Sequence, residues 1–180
     1  MVTHKMLNSQ FWAEKKVFVT GHTGFKGAWL SHWLDDLGAR IVGFSKYTNA
    51  QQKDFADSVE NLIDGSVVGD ICCSHRLTDS LQHWQPEIVF HLAAQPIVRR
   101  SFTDVIDTFE TNLMGTVNLL EAVRQTPSVR AVVIVTSDKC YRNLEKGSSF
   151  TEDNPLGGDD PYSASKACAE IATNSFIQSF

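Results

Sequence analysis

The apolar run Val17-Phe18-Val19-Thr20 passes directly into Gly21-His22-Thr23-Gly24-Phe25-Lys26-Gly27, and an amphipathic helical pattern follows. A buried strand, a glycine turn and a helix N-terminus in that order build a cradle of backbone amides suited to a pyrophosphate. The spacing is G-x-x-G-x-x-G, one residue longer than the G-x-G-x-x-G fingerprint, so the turn is wider. Gly21 serves the turn itself, Gly24 the close approach of backbone to phosphate, and Gly27 the packing of helix on strand. No Gly-Lys-Ser/Thr follows, so this is not a Walker A loop. The plain alternative is an ordinary glycine-rich turn; the position after the first strand favours the binding reading.

The rest of the chain repeats the strand–helix alternation. After a loose lead-in over residues 1–14, the patterns predict a strand over Lys16–Thr20 and a helix over Gly24–Leu37 closed by Gly38. A second strand over Arg40–Phe44 leads to an irregular stretch, Ser45–Gly65, with one short helix around Phe55–Ile63. A third strand covers Ser66–Gly69, a short helix His75–Trp84, and a fourth strand Glu87–Leu92. Asp104–Gln125 reads as the longest helix, Arg130–Thr136 as a fifth strand, Asn143–Pro161 as a long loop, and a last helix starts near Tyr162. Unbroken apolar strands alternating with helices predict a doubly wound parallel α/β sheet of Rossmann type over residues 15–180. The last helix carries no stop signal at Phe180, so the chain is expected to be the N-terminal part of something longer, truncated before further strands and a substrate-binding region.

Charge and composition exclude several classes. A net charge of −5 gives no basic footprint for nucleic acid. No apolar stretch approaches the ~20 residues of a membrane span, and the N-terminus lacks the apolar core of a secretory signal. The cysteines Cys72, Cys73, Cys140 and Cys168 form no C-x-x-C, and the six histidines no H-x-x-x-H, so neither disulfides nor zinc is expected. A reducing cytoplasm fits this usage.

Three further features bear on chemistry. The acid that usually grips a ribose should end the second strand, yet Gly43-Phe44-Ser45-Lys46 holds no carboxylate, leaving room for a 2′-phosphate near Lys46 or simply a solvated lysine. Asp70-Ile71 follows the third strand, where the adenine would lie or where an aspartate would cap the next helix. Tyr162-x-x-x-Lys166 puts a phenol and an amine one helical turn apart, so the cation stabilises a phenolate able to take a proton from an alcohol. Thr136-Ser137-Asp138-Lys139 lies at the carboxyl end of the fifth strand, the edge where open α/β sheets bind ligands. Finally, Val105, Ile106, Phe109, Leu113, Val117 and Leu120 form a stripe widened by Met114, Leu119 and Val123. That helix either sits deep between neighbours or meets a second subunit.

These residues resemble the extended short-chain dehydrogenase/reductase family, whose members act on nucleotide sugars. The marks are the glycine turn, Asp70-Ile71, His91-Leu92-Ala93-Ala94-Gln95-Pro96, Thr111-Asn112, Met114-Gly115-Thr116 and Tyr162-x-x-x-Lys166, and the likeness runs from Lys16 to Phe180. Thr136-Ser137-Asp138-Lys139-Cys140-Tyr141 and Pro155-Leu156-Gly157-Gly158-Asp159-Asp160-Pro161-Tyr162-Ser163 are similar to the branch of the family that dehydrates CDP-glucose; dTDP-glucose dehydratases carry Asp-Glu at Asp138-Lys139. The resemblance implies NAD as cofactor, despite the missing acid. It implies Gly21, Thr23, Gly24, Phe25, Lys26, Gly27, Asp70, Ile71, Leu92, Ala93, Ala94, Gln95, Asn112, Thr136, Tyr162 and Lys166 as its contacts. It implies a nucleotide-sugar substrate, CDP-glucose; the wide stripe of 104–125, with the last helix over 162–180, is the expected seam of a homodimer. The implied reaction yields CDP-4-keto-6-deoxy-glucose. Tyr162 takes the 4-hydroxyl proton as hydride passes to NAD, Lys166 holds the phenolate and Ser137 bonds O4. Asp138 acts as acid for the 6-hydroxyl, Lys139 as a neutral base at C5 made so by desolvation beside Lys166, and hydride returns to C6. The competing expectations are a 4-epimerase, a GDP-mannose or dTDP-glucose dehydratase, or a cofactor-binding fragment without turnover.

Overall fold

The computed structural model describes residues 9–46, 50, 52–143, 147 and 149–180. The expected loop over 45–65 therefore lies partly outside the described residues, as do the lead-in before residue 9 and part of the loop after 143.

In chain order the elements are α1 (Ser9–Trp12), β1 (Lys16–Thr20), α2 (Phe25–Asp36), β2 (Arg40–Ser45), α3 (Lys53–Val59), β3 (Gly65–Val68) and α4 (Ser74–Trp84). There follow β4 (Ile88–His91), α5 (Val98–Ser101), α6 (Val105–Phe109), a π-helical turn (Glu110–Met114), α7 (Gly115–Arg124), β5 (Ala131–Ile134), a 3₁₀ turn (Asp138–Cys140) and α8 (Pro161–Ser179). All strand pairs are parallel, in the order β3-β2-β1-β4-β5. This is the doubly wound arrangement the alternation predicted.

Side-chain alternation along the strands sends residues to opposite faces, and both faces are covered. Phe18, Val42, Phe44 and Val89 pack with Leu77, Leu81, Leu119 and Ala122 of α4 and α7. Val17, Val19, Ile41 and Ile88 pack with Leu34 of α2 on the other face. The order places β1 between β2 and β4, so the chain leaves β1 in one direction and returns beside it in the other. A crevice opens at that switch point, outside the carboxyl ends of the strands.

Two expectations are corrected. The stretch 9–14 is not loose: α1 sets Trp12 against the second core cluster, its ring 6.3 Å from that of Phe90. The segment 105–124 is continuous but is not one regular helix, because the π turn interrupts it, and α8 is the longest regular helix among the described residues. The cause is tertiary. Buried Asn112 is committed to bonds with neighbouring elements, and Gly115 packs so tightly on Ile71 that a Cβ there would lie 2.6 Å from its Cγ2. The apolar stripe divides accordingly: Leu120 is buried, whereas Ile106 is 74% exposed, and the buried face near the crevice is polar, made of Thr108, Thr111, Asn112 and Thr116.

Candidate active site

The glycine turn is held by backbone geometry. Gly21 adopts φ +75° and donates its N–H to the Phe44 carbonyl at 2.8 Å, while the Gly24 N–H meets the Gly21 carbonyl at 3.0 Å. A Cβ on Gly21 would stand 2.8 Å from the Ala93 nitrogen, and one on Gly27 would stand 2.1 Å from the Gly21 oxygen. Gly27 thus packs the first turn of α2 onto the glycine loop. Gly24 is the N-cap of α2 and offers no side-chain cap, so the helix presents its first-turn amides, and the positive end of its dipole, to the cleft. Gly27→Ala is expected to cost about 3 kcal/mol, since the clash is with backbone that cannot rotate away. Urea unfolding of the variant reads this directly.

Beneath the turn sits a histidine the sequence reading treated only as part of a motif. His22 Nδ1 lies 2.9 Å from Ser45 Oγ and Nε2 3.0 Å from Ser66 Oγ, and its ring fills the space over Gly43. Burial pushes its pKa down to about 4. The neutral ring ties the glycine turn to the end of β2 and the start of β3. A glycine inside the β2 pattern was the one available signal, marking a close approach by another group.

A second buried histidine organises the opposite wall. Thr116 Oγ1 donates to the Asn112 carbonyl at 2.7 Å and so accepts from His91 Nε2 at 3.2 Å. That assignment leaves Nδ1 to accept from Thr20 Oγ1 at 2.7 Å, while Thr20 Oγ1 accepts from the Leu92 and Ala93 amides. Burial, with the nearby Lys166 charge, drives the His91 pKa down to about 3. The network fixes the loop after β4.

Between these walls lies a cleft of about 610 Å³. Of the expected site residues, Gly21, Thr23, Gly24, Phe25, Lys26 and Gly27 line one side. Ile71, Leu92, Ala93, Ala94 and Gln95 line the floor and far wall, and Thr136, Tyr162 and Lys166 close the end beside β5. Tyr162 and Lys166 share a face of α8 at 9% and 6% exposure. Pro161 opens that helix and Asp160 caps it, accepting from the Ser163 amide at 2.9 Å. Lys166 Nζ donates to the Val135 carbonyl at 3.1 Å, and burial together with the Lys26 charge lowers its pKa to about 8, against a raising effect of Glu170. Thr136 Oγ1 donates a short hydrogen bond to Glu170.

Five expected residues do not line the cleft. Asn112 is buried behind it, accepting from the Gln95 N–H at 2.8 Å and donating to the Gln95 carbonyl and to Ser165 Oγ. Asp70 accepts from the Cys72 N–H at 2.9 Å and pairs with Lys46 at 3.1 Å. Its carboxyl is held below the usual range: desolvation opposes this, but the Cys72 amide and the Lys46 ammonium prevail. Ser137, Asp138 and Lys139 lie on or next to the 3₁₀ turn after β5, where Ser137 Oγ donates to Asp138 Oδ1 at 3.1 Å and accepts from the Lys139 N–H at 3.2 Å. Asp138 and Lys139 are exposed. The desolvation expected for Lys139 is therefore absent here, because the described residues leave that turn open.

The arrangement can hold an anion on the backbone amides of α2 and present a phenol and a buried amine to whatever lies along the cleft. Among the described residues no cluster of His, Cys, Asp and Glu is arranged to hold a metal, and no helix is long and apolar enough to cross a membrane. The sequence model of the GDP-mannose 4,6 dehydratase family matches residues 18–180. The chain belongs to that family. The resemblance to the extended short-chain dehydrogenase/reductases is borne out with it.

Individual proteins narrow the comparison. A CDP-glucose 4,6-dehydratase of Salmonella typhimurium is 48% identical over 175 residues, which is 97% of this chain and 49% of that protein. A dTDP-glucose 4,6-dehydratase of Bacillus anthracis solved in complex with NAD superposes with a TM-score of 0.78 at 27% identity, covering 92% of this chain and 51% of that one. A Thermus thermophilus UDP-glucose 4-epimerase solved with NAD gives a TM-score of 0.81 at 29% identity, covering 91% and 51%. The chain spans about half the length of the curated relatives it matches.

This family member also shows cleft residues that sequence reasoning missed. Ser45, Gly69, Val135, and the pair Arg100 and Asp107, joined at 3.2 Å, all line the cleft. Ser45 and Gly69 stand just past apolar runs at carboxyl ends of strands, a position that was the usable signal. Arg100 stands on the four-residue α5, too short to show a period.

Proposed function

We propose that this chain is the cofactor-holding part of a nucleotide-sugar 4,6-dehydratase that acts on CDP-glucose with NAD. One observation carries the reading: a single cleft contains both the glycine turn and the Tyr162–Lys166 pair. The near-complete coverage of this chain by a CDP-glucose dehydratase at 48% identity supports the choice of substrate. The fit of a dinucleotide is supported by the two glycines whose Cβ positions are blocked by backbone and by the uncapped N-terminus of α2. NAD bound there would supply the hydride acceptor for the sugar's transient oxidation and the hydride donor for its reduction.

The chain's own residues do the proton work. Tyr162 removes the proton of the sugar 4-hydroxyl, and Lys166, one turn on, supports the phenolate. Ser137 hydrogen-bonds O4, Asp138 protonates the departing 6-hydroxyl, and Lys139 takes the C5 proton and gives it back to C5 once C6 has been reduced. Asp138 and Lys139 act only when the rest of the protein covers the turn after β5, because both are exposed on these residues alone. A second copy paired across α6, α7 and α8 belongs to the same reading, supported by the exposed Ile106, Met114, Ile171 and Ile177. The free thiols Cys72, Cys73, Cys140 and Cys168 are consistent with a reducing cytoplasm.

The complete protein is expected to convert CDP-glucose to a 4-keto-6-deoxy product, read by its absorbance in alkali. These 180 residues alone are expected to bind NAD without turnover. Conversion of GDP-mannose or dTDP-glucose in preference to CDP-glucose would move the substrate assignment. Failure with every nucleotide sugar would leave a binding module.

A further inference from the structure

The ribose end of the cleft lacks the carboxylate that usually ends the second strand. In doubly wound sheets that position faces the 2′ position of the adenosine ribose: an acid there bonds the free hydroxyl and repels a 2′-phosphate, while a cation welcomes the phosphate. Here β2 ends in Ser45, followed by Lys46, and both line the cleft. Taken alone, a lysine at this place favours the phosphorylated dinucleotide.

Lys46 is not alone. Its ammonium lies 3.1 Å from the carboxylate of Asp70, at the end of β3, and the two side chains are 52% and 43% exposed. Asp70 is itself aimed by the Cys72 N–H, which holds its other oxygen at 2.9 Å. Two other cations are also committed: Arg100, lining the cleft, bonds Asp104 and Asp107, and Lys53 of α3 pairs with Asp57. Ser45 Oγ is engaged by His22.

We propose that the Lys46–Asp70 pair is the selector between NAD and NADP: Asp70, reaching across from β3, occupies the lysine and supplies from the next strand the negative charge that β2 lacks. The inference rests on the reading that the cleft holds a dinucleotide. An exposed pair of this kind adds little to stability, so its variants fold. Its effect would fall on a 2′-phosphate dianion, with which the freed lysine would form a charge-assisted hydrogen bond.

The test is the ratio of NAD to NADP affinity, measured by calorimetric titration of the complete protein and its variants, with thermal melting as a folding check. The unaltered protein is expected to prefer NAD. Asp70→Asn is expected to shift the ratio toward NADP by about tenfold or more, the weight of one hydrogen bond to a charged group. The double variant Asp70→Asn with Lys46→Gln is expected to lose that gain. Three results overturn the proposal: a starting preference for NADP, an unchanged ratio in Asp70→Asn, or a gain that survives in the double variant. Binding of neither dinucleotide overturns the dinucleotide reading itself, and the selector with it. Good NAD binding with an unresponsive ratio sinks the selector alone.

Discussion

Tyr162→Phe in the complete protein is expected to lower kcat by about 10²–10⁴-fold, the span typical of a positioned general acid or base. The ring is packed at 9% exposure and phenylalanine keeps that packing, so stability should stay within about 0.5 kcal/mol of the unaltered protein. What is lost is the hydroxyl that opens on the cleft within one helical turn of Lys166. Lys166 is a poor substitute, because with a pKa of about 8 its amine is mostly protonated at neutral pH, and it donates to the Val135 carbonyl. Steady-state kinetics with CDP-glucose separate the outcomes: a fall in kcat with KM nearly unchanged marks a group used in the chemical step. A variant with unaltered kcat removes Tyr162 from the chemistry.

The second large effect is on acid stability. His22 and His91 are buried neutral, their pKa values lowered to about 4 and about 3 from the ordinary imidazole value of about 6.5. Between those limits the unfolded chain binds protons that the folded chain refuses, so the histidines' contribution is full above about pH 7 and falls as pH drops. Each histidine contributes a loss of about 1.4 kcal/mol per pH unit, or about 2 kcal/mol at pH 5, and the two together about 4 kcal/mol. Carboxylates held below their usual range, such as Asp70, add their losses only at lower pH, so the window from 6.5 to 5 isolates the histidines. Urea midpoints across that window should slope steeply in the unaltered chain and less in His22→Gln, although that variant starts from a lower plateau because its ring bonds to Ser45 and Ser66 are gone. A flat profile in the unaltered chain would mean that neither ring is buried neutral.

Much of the frame was legible because local and tertiary demands coincide. β1 was read at its observed bounds, since an apolar run stopped by a glycine turn has no competing pattern. α2 was bracketed by Gly24 and Gly38, and Gly38 indeed adopts φ +81°, the left-handed cap its position suggested. Other features depend on partners distant in sequence. The π turn exists because Asn112 meets Gln95 and Ser165, and nothing in the spacing of 105–124 announces that. The tether of His22 to Ser66 spans strands whose adjacency only the sheet order supplies. At the site, the glycine turn and the Tyr162–Lys166 pair were readable as motifs, and the structure brings them to one cleft. The environment of Asp138 and Lys139 was not, because exposure is a property of what else folds over a turn.

Asn112 has a consequence for how the cleft behaves mechanically. One amide side chain grips both backbone groups of Gln95, on the loop after β4, and the hydroxyl of Ser165, one residue before Lys166. The cofactor-side loop and the helix bearing the phenol are thereby riveted to a common post. The span from loop to phenol is inherited from the scaffold, so an arriving ligand meets a gauge already set.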